Sequence, residues 1–340
     1  LPLLHLNDPI QEVVELGETR PEPVCNGHTF PNKHRWTNRY YELESETFAA
    51  QTGITAVQFL EENANHSPFF LWVDFFDPHE PWDPPEYMVR RYDPDYEGTP
   101  MLHPNYGRAG DMTAEELRNL RAHYCAEAEL ADRWVGRVLE KIDDLGLWEN
   151  SIVVFTSDHG MSLGEHNQAG KANRNLRDER FWPLYPEIAH VPFMVAAPGL
   201  EGGTTVDALT QPVDILPTLM DLADVEVAPP QPFHGRSFAP LLRGEQQAPL
   251  REFAICSATL RDGTNGPPEK WTTPVIYTDT WAYVPIGQEG ARELYNLGDD
   301  SYGERNIASS HTEVVIDLHA KFVSWLREME VPSIVIDLYN

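Results

Sequence analysis

The chain has 340 residues, of which 41% are hydrophobic and 23% charged, an ordinary composition for one large globular domain or two smaller ones. Its 54 acidic residues exceed the 25 basic residues and give a formal net charge of −29. A surface this acidic repels phosphate backbones and anionic lipid, which argues against nucleic-acid binding and membrane docking. No apolar run approaches the roughly 18 residues of a membrane-spanning helix.

The cysteines and the first residues bear on the cellular context. Cys25, Cys125 and Cys256 are widely spaced and form no zinc-type or redox-type pair, so a disulfide framework is excluded. The opening residues contain neither the basic region nor the long apolar region of a signal peptide, and the first of them is not methionine. We expect that the sequence begins inside a longer protein, and its localisation stays unknown.

Helices and strands alternate in the predicted structure of the first half. The apolar run Phe69–Val73 follows a proline and is typical of a buried parallel strand. Thr113 and Glu116 have the spacing of a capping box, and Gly146 favours the end of the helix that they begin. In chain order we predict a short strand at Val13–Leu16, a helix over residues 45–63 capped by Ser45, a strand at Phe69–Val73, an irregular surface segment over 84–111 and a helix from Thr113 to Gly146.

The second half of the chain continues the alternation of strands and helices and then ends in a region of short predicted strands. Apolar runs predict buried strands at Ser151–Thr156 and Val191–Ala196, which indicate an α/β fold with a mostly parallel sheet and helices on both faces. After a change in composition near 228–250, short runs predict a small antiparallel sheet with one helix, and hence two domains, 1–245 and 246–340. The remaining predicted elements are a helix at Asp214–Leu222, strands at Phe253–Ala258, Trp271–Tyr277 and Trp281–Val284, and a helix at Thr312–Glu328.

One polar cluster follows the strand Ser151–Thr156, at the kind of position where open α/β sheets bind ligands. It contains Asp158 and His159, and a carboxylate beside an imidazole can bind a divalent metal ion. The alternative is structural, with Asp158 capping a turn and His159 bonded to nearby backbone. Two ligands do not complete a metal site, so others must come from elsewhere.

His79 and Lys171 are the candidates for chemistry on a substrate. Prolines flank the loop of His79 and stiffen it, which suits a general acid or an oxyanion ligand. Lys171 lies in a polar loop and could neutralise a negatively charged group, and His166 is a weaker candidate of the same kind. The alternative for each is a solvated loop residue. Asp77 and Glu80 are expected to orient their neighbours.

Several segments occur together in the order and spacing of one hydrolase family. They are Pro68–Val73 leading into Asp77–Trp82, Thr156–His166 followed by Gly170 and Lys171, Val191–Phe193 before Ala197–Gly199, Val213–Leu219, Gly235–Gly244 and Glu293–Leu297. From about residue 45 to the C-terminus the chain resembles the sulfatase family. The resemblance implies an alkaline phosphatase-like α/β fold and a metal-assisted hydrolase of sulfate esters, on a scaffold that relatives use for phosphonate or phosphate esters.

The resemblance also implies roles for individual residues. Asp158 and His159 would be metal ligands, with calcium as the first expectation and manganese or magnesium as alternatives. Lys171 would bind the oxygens of the ester and His79 would protonate or bind the leaving group, so both would be catalytic. His166 would be a further substrate-binding residue. The partner would be a small-molecule or carbohydrate sulfate ester.

One feature of the family is absent from the sequence. No cysteine or serine lies in the motif Cys/Ser-x-Pro/Ala-x-Arg, which provides the nucleophile as formylglycine or serine. We therefore expect formylglycine in an N-terminal segment upstream of this sequence. Residues 1–340 alone should give no turnover unless such a segment complements them.

Two alternatives to a sulfatase stay open. A phosphonate monoester or phosphodiester hydrolase could use the same scaffold, and His159 leans towards it because imidazole, unlike asparagine, admits manganese or iron. A non-catalytic binding or structural protein follows if the mature chain begins at Leu1. The upstream nucleophile would discriminate among the three, and the oligomeric state stays unknown.

The composition predicts that salt stabilises the fold. Repulsion among the carboxylates is screened beyond about 10 Å at 0.1 M salt and beyond about 3 Å at 1 M. Thermal melts from low to molar KCl, at constant divalent ion, should show the melting temperature rising steeply at first. Only five of the 25 basic residues are lysines, a pattern that suits high salt, and a protein adapted to high salt would keep gaining stability at molar KCl. A plateau after the lowest concentrations would instead indicate an acidic but ordinary surface.

Overall fold

The computed structural model describes residues 38, 41, 43–172, 181–226, 232–245, 248–257, 273–287 and 289–340. The chain divides into two compact units, Leu1–Leu147 with Ser162–Leu176, and Trp148–Met161 with Arg177–Asn340. The strand predicted at Val13–Leu16 lies outside the described residues. The predicted division into domains 1–245 and 246–340 stays a prediction.

The described residues contain helices and short strands that are numbered here in chain order. The helices are α1 (Phe48–Asn63), α2 (Glu86–Tyr92), α3 (Ala114–Asp144), α4 (Pro186–Ala189), α5 (Ile215–Leu222), α6 (Ala239–Leu242), α7 (Thr312–Glu328) and α8 (Ser333–Ile336). The strands are β1 (Gly107–Arg108), β2 (Val153–Thr156), β3 (Ser162–Leu163), β4 (Gln168–Gly170), β5 (Phe193–Ala196), β6 (Ala254–Cys256), β7 (Val275–Tyr277), β8 (Trp281–Val284) and β9 (Glu293–Asn296). In the described part of the chain, no helix is both long and apolar enough to cross a membrane.

The helix predicted over residues 45–63 begins later than expected. Its N-cap is Thr47 and not Ser45, because residues 44–46 form a separate 3-10 turn. Thr47 has extended backbone dihedrals, so its hydroxyl reaches the N–H of Ala50 at 3.3 Å. The cap therefore satisfies one of the free N–H groups of the first turn of α1.

The long helix α3 begins and ends as the sequence predicts. Thr113 and Glu116 form the capping box, with bonds of 3.2 Å and 2.9 Å, and Gly146 follows the helix with a φ of 63°. The core of the first unit lies between α3, α1 and α2, although α2 lies in the segment 84–111 that was predicted to be irregular. The buried residues of this core are Ala49, Met88, Val89, Ala122, Ala126 and Leu130.

The run Phe69–Val73 is not the buried strand that its sequence predicts. It forms no strand in the described residues, and the side chains of Phe70 and Trp72 are 78% and 75% exposed. Apolar sequence alone does not bury a segment, because an extended chain needs neighbouring strands to satisfy its backbone and to cover its faces.

The α/β fold class is confirmed, but the direction of the central pairing differs from the prediction. Strand β2 pairs with β5 antiparallel, with Val153 opposite Ala196 and Thr156 opposite Phe193. All strand pairs in the described residues are antiparallel. Antiparallel strands need no crossover helix between them, and the described residues between β2 and β5 contain the hairpin β3–β4 and the short helix α4.

The predicted antiparallel sheet of the C-terminal region is confirmed. Its order is β6-β7-β8-β9, and helix α7 packs on one face. Side chains alternate between the two faces, as strand geometry requires. Ile276, Tyr283 and Leu294 pack with Leu318 and Phe322 of α7, whereas Val275, Ala282, Val284 and Tyr295 pack with Tyr185 on the other face.

A buried ion pair holds the second unit together around the start of α5. Asp214 is fully buried and accepts two hydrogen bonds of 2.6 Å from the guanidinium of Arg251. It also accepts from the backbone N–H groups of Gln211 and Arg236, at 2.7 Å and 2.8 Å. Burial by itself would raise the pKa of Asp214, but these hydrogen bonds hold that pKa below its usual range.

Asp214→Asn should destabilise the protein by about 3–5 kcal/mol, because it leaves Arg251 buried without its counter-charge. Urea unfolding at pH 7 measures this loss. The matched control is Asp317→Asn, since Asp317 is 62% exposed and pairs with Lys321 at 3.1 Å, a contact worth about 0.5 kcal/mol or less.

The same pair predicts a pH dependence. The folded pKa of Asp214 is lowered, so its stabilisation is complete above the unfolded pKa of about 3.9 and is lost as pH falls through the folded value. The difference in the free energy of unfolding between wild type and Asp214→Asn should therefore be constant above roughly pH 5. It should become smaller in stronger acid. If Asp214→Asn lost no more stability at pH 7 than Asp317→Asn, the stabilising role of the buried ion pair would be contradicted.

Candidate active site

The loop that carries His79 is anchored on both sides within the first unit. The carboxylate of Asp77 accepts a hydrogen bond of 3.0 Å from the backbone N–H of Ala49, in the first turn of α1. The indole of Trp82 is fully buried and donates to the carbonyl of Pro78 at 2.9 Å. These contacts fix the backbone around His79, while its side chain stays 36% exposed.

The hydrogen bonds of His79 define which ring nitrogen carries the proton. Nδ1 lies 2.6 Å from the backbone carbonyl oxygen of Glu80, and a carbonyl only accepts, so Nδ1 is the donor. Nε2 lies 2.8 Å from Nζ of Lys171, whose ammonium only donates, so Nε2 presents its lone pair. The ring also stacks on Phe76, with the centroids 4.4 Å apart. His79 is thus a neutral imidazole that accepts a hydrogen bond from Lys171.

Glu80 places a buried negative charge beside this pair. Its side chain is 3% exposed, and its Oε1 accepts from the hydroxyl of Tyr106 and lies 3.6 Å from Nζ of Lys171. Its Oε2 lies 3.6 Å from Nδ1 of His79. Burial raises the pKa of Glu80, but the Tyr106 hydroxyl, a backbone hydrogen bond and the charge of Lys171 outweigh it and hold the pKa below its usual range. The carboxylate is therefore ionised.

Lys171 is positioned by the hairpin β3–β4. Ser162 pairs with Gly170 at the open end of the hairpin, so Lys171 follows directly from a paired residue. His166 lies in the turn at the opposite end, where it adopts a φ of 53° and is half-buried. The structure therefore brings Lys171 to His79 and places His166 at the other end of the same hairpin, and the substrate-binding role of His166 stays a prediction.

Two buried titratable residues of α3 were not singled out in the sequence, because the helical periodicity marks their positions as core. His123 approaches the carbonyl of Trp82 with Nδ1 at 3.1 Å, and burial lowers its pKa to about 4. Burial, with Asp77 and Asp83 nearby, raises the pKa of Glu127 well above its usual range. Burial therefore disfavours the charged form of both groups, whereas the pKa of Glu80 is held below its usual range.

Asp158 and His159 lie in the second unit, directly after β2. Oδ2 of Asp158 and Nε2 of His159 are 3.5 Å apart. Their loop is held by Gly160, whose N–H donates to the carbonyl of Ile188 at 2.8 Å. A Cβ at Gly160 would come within 2.0 Å of the carbonyl oxygen of Glu187, so only glycine permits this approach.

The chemistry of this donor pair fits a divalent metal ion. Nδ1 of His159 donates to the carbonyl of Gly160 at 2.8 Å, which leaves the lone pair of Nε2 towards the Asp158 carboxylate. Metal-bound histidines use the same arrangement, with the second nitrogen bonded to a backbone carbonyl. Within the described residues, no group of three or more His, Cys, Asp or Glu side chains could hold a metal ion. The metal-ligand role of Asp158 and His159 therefore stays a prediction.

Tyr106 is the contact that the sequence analysis missed. It lies in the segment 84–111, which was predicted as irregular, and it is 26 residues from Glu80 along the chain. It matches no motif, and its hydroxyl gains significance only from its buried position against the Glu80 carboxylate. A left-handed φ of 50° at Tyr106 shows that the local backbone also depends on its tertiary contacts.

The hydrogen bonds predict opposite tautomers for two histidines. His79 should carry its proton on Nδ1, whereas His319 should carry it on Nε2, which lies 2.7 Å from the carbonyl of Tyr339. Long-range ¹H–¹⁵N correlation spectra at pH 8 distinguish the two patterns. Lys171→Met should change the ¹⁵N shift of Nε2 in His79 and leave His319 unchanged. An Nε2–H pattern for His79 in the wild type would contradict the assignment.

Known proteins resemble this chain in sequence. The family model described as Sulfatase matches residues 25–225. Arylsulfatase K of Gallus gallus is 30% identical over 239 residues, which cover 66% of this chain and 40% of that protein. Arylsulfatase K of Bos taurus is 28% identical, with the same coverage of both chains. The chain thus spans about 40% of the length of these curated relatives.

The same relationship is visible in the fold. The crystal structure of a phosphonate monoester hydrolase of Agrobacterium radiobacter superposes with a TM-score of 0.69 and 24% identity, over 85% of this chain and 62% of that one. This likeness shows a shared fold. The family model covers 201 of the 340 residues, which is more than half of the sequence. The chain therefore belongs to the sulfatase family.

Proposed function

We propose that the protein is a sulfate ester hydrolase and that Lys171 and His79 act on the ester. The observation that carries the proposal is the 2.8 Å contact between Nζ of Lys171 and Nε2 of His79, in a chain that belongs to the sulfatase family. Lys171 is 16% exposed and His79 is 36% exposed, so the pair is shielded from water but open to a ligand.

The two residues have two functions: they bind the oxygens of the sulfate group and they provide a proton to the leaving group. The ammonium of Lys171 has three N–H donors, and one of them is used by His79, which leaves donors for the sulfate oxygens. As the nucleophile forms its bond to sulfur, the bond between sulfur and the bridging oxygen breaks, and that oxygen takes a proton and departs as the alcohol. Nε2 of His79 accepts this proton from Nζ of Lys171, which becomes a neutral amine, and then donates it to the departing oxygen, so the pair acts as the general acid. The family nucleophile is formylglycine, and no described residue is proposed for that role.

Asp158 and His159 are proposed as two ligands of a divalent cation, with calcium as the first choice and manganese or magnesium as alternatives. A bound cation would polarise the ester oxygens and offset their negative charge. The His159 ring is held for this purpose by its bond to the carbonyl of Gly160. The high exposure of Asp158, at 84% of its side chain, leaves the carboxylate available to a ligand.

Charge relates the first candidate class of substrate to the second. A sulfate monoester carries a single negative charge, and so does a phosphonate monoester, whereas a phosphate monoester carries about two at pH 8. Sulfate esters of small molecules or carbohydrates are the proposed substrates, and phosphonate monoesters are the second candidate because they carry the same charge.

The leaving group provides the test. In the protein expressed from its complete reading frame, His79→Ala should lower kcat/KM by about 10²- to 10⁴-fold for an alkyl sulfate, whose alkoxide needs a proton. The loss for 4-nitrophenyl sulfate should be much smaller, because nitrophenolate leaves without one. His66→Ala is the control, since His66 is exposed at the end of α1 and outside the cluster.

Three outcomes would contradict parts of this proposal. An equal loss for both substrates would remove the general-acid role of His79. Hydrolysis of a phosphonate monoester without hydrolysis of either sulfate ester would replace the sulfatase assignment with the second candidate. Removal of the divalent metal ion by a chelator should abolish turnover of sulfate esters and of phosphonate monoesters. Full activity after chelation would exclude the metal-ligand role of Asp158 and His159.

A further inference from the structure

One segment of the second unit forms hydrogen bonds both to the C-terminal sheet and to the loop that carries Asp158 and His159. This connecting segment comprises residues 182–189 and includes helix α4. Two backbone hydrogen bonds join it to the loop, from Gly160 N–H to the carbonyl of Ile188 at 2.8 Å and from Met161 N–H to the carbonyl of Glu187 at 3.1 Å. The connecting segment therefore fixes the backbone directly after His159.

The loop depends on such support because its own side chains are little buried. The side chain of Asp158 is 84% exposed and that of His159 is 35% exposed. A metal site, in contrast, requires that its ligands be held within about 0.5 Å of their working positions. Backbone contacts must therefore supply much of the order that side-chain packing does not.

Hydroxyl groups of the C-terminal region hold the connecting segment. Tyr277 of β7 donates to the carbonyl of Leu184 at 2.6 Å, and Thr273 donates to the carbonyl of Trp182 at 3.0 Å. Burial raises the pKa of Tyr277 well above its usual range, so its hydroxyl stays a donor at neutral pH. Two carbonyl groups of the connecting segment are thus bonded to residues 93 and 91 positions later in the chain.

The side chain of Tyr185 joins the connecting segment to β9. Its hydroxyl donates to Oε2 of Glu293 at 2.7 Å, and the same oxygen accepts from the hydroxyl of Tyr295 at 2.9 Å. Tyr185 is 1% exposed, and its ring packs edge-on against that of Tyr295 with the centroids 6.1 Å apart. The sheet therefore contacts the connecting segment through the side chains of two of its strands, β7 and β9.

We propose that the C-terminal sheet positions the two proposed metal ligands through the connecting segment. The positioning residues are Tyr277, Tyr185 and Glu293. The inference rests on the proposed function and adds to it the contacts that order the metal-binding loop. These contacts are separate from the packing of the sheet on α7, which lies on the opposite face.

Tyr277→Phe removes one hydroxyl and keeps the ring, so the carbonyl of Leu184 loses its donor. The backbone bonds of Gly160 and Met161 should then open more often. In the metal-free protein, expressed from its complete reading frame, amide hydrogen exchange measured by mass spectrometry should become about two- to tenfold faster at these two amides. The calorimetric Kd for calcium alone should rise by about the same factor.

Tyr283→Phe is the matched control. Tyr283 lies in β8 on the face that packs on α7, and its hydroxyl lies 2.9 Å from Nδ1 of His319. Because Tyr283 does not contact the connecting segment, its variant should keep exchange at Gly160 and Met161, and the Kd for calcium, within about twofold of the wild type.

Variants of Glu293 provide a second test, which also serves if Tyr277→Phe does not fold. Glu293→Gln keeps an acceptor for the two tyrosine hydroxyls and should preserve most of the protection at Gly160 and Met161. Glu293→Ala removes the acceptor and should lose that protection.

The outcomes distinguish this inference from the proposed function. Unchanged exchange at Gly160 and Met161 in Tyr277→Phe, or an unchanged Kd for calcium despite faster exchange, would overturn the positioning role and leave the sulfatase proposal standing. Equally fast exchange in Tyr283→Phe would show a general loss of stability and would overturn it too. Absence of calcium binding in the wild type would contradict the metal-ligand proposal, whereas exchange in the metal-free protein would still decide whether the sheet orders the loop.

Discussion

A buried carboxylate is the constraint on which the candidate site in the first unit depends. An ionised group that is 3% exposed costs several kcal/mol unless other groups compensate its charge. Glu80 obtains this compensation from Tyr106 and Lys171, which come from a loop and from the end of β4. Glu80 therefore links the His79 loop to the Tyr106 segment and to the end of the β3–β4 hairpin.

The proposed function requires that a chain with a net charge of −29 bind an anion. The average field of such a protein repels a sulfate ester, so attraction has to be local. Lys171, in the first unit, provides such a local positive charge beside His79.

Several segments that resemble the sulfatase family have an architectural role. Asp214 joins the start of α5 to the backbone of Arg236 and to the side chain of Arg251, so two of these segments meet at one buried ion pair. In another segment, Glu293 accepts hydrogen bonds from the hydroxyls of Tyr185 and Tyr295 at 2.7 Å and 2.9 Å. A segment shared with the family can therefore provide a buried polar contact as well as a catalytic group. Only the positions of the side chains in the structure distinguish the two roles.

The sequence by itself determined the features that depend on neighbouring residues. The capping box of α3 at Thr113, the end of that helix and the alternating strands of the C-terminal sheet follow from local hydrogen bonds and side-chain periodicity. It also indicated His79, Lys171, Asp158 and His159 as site candidates. Tertiary structure alone decided that Phe69–Val73 is not a buried strand, that β2 and β5 run antiparallel and that Tyr106 holds Glu80. These features depend on partners distant in sequence, and no local pattern encodes which partner a backbone or a buried charge will find.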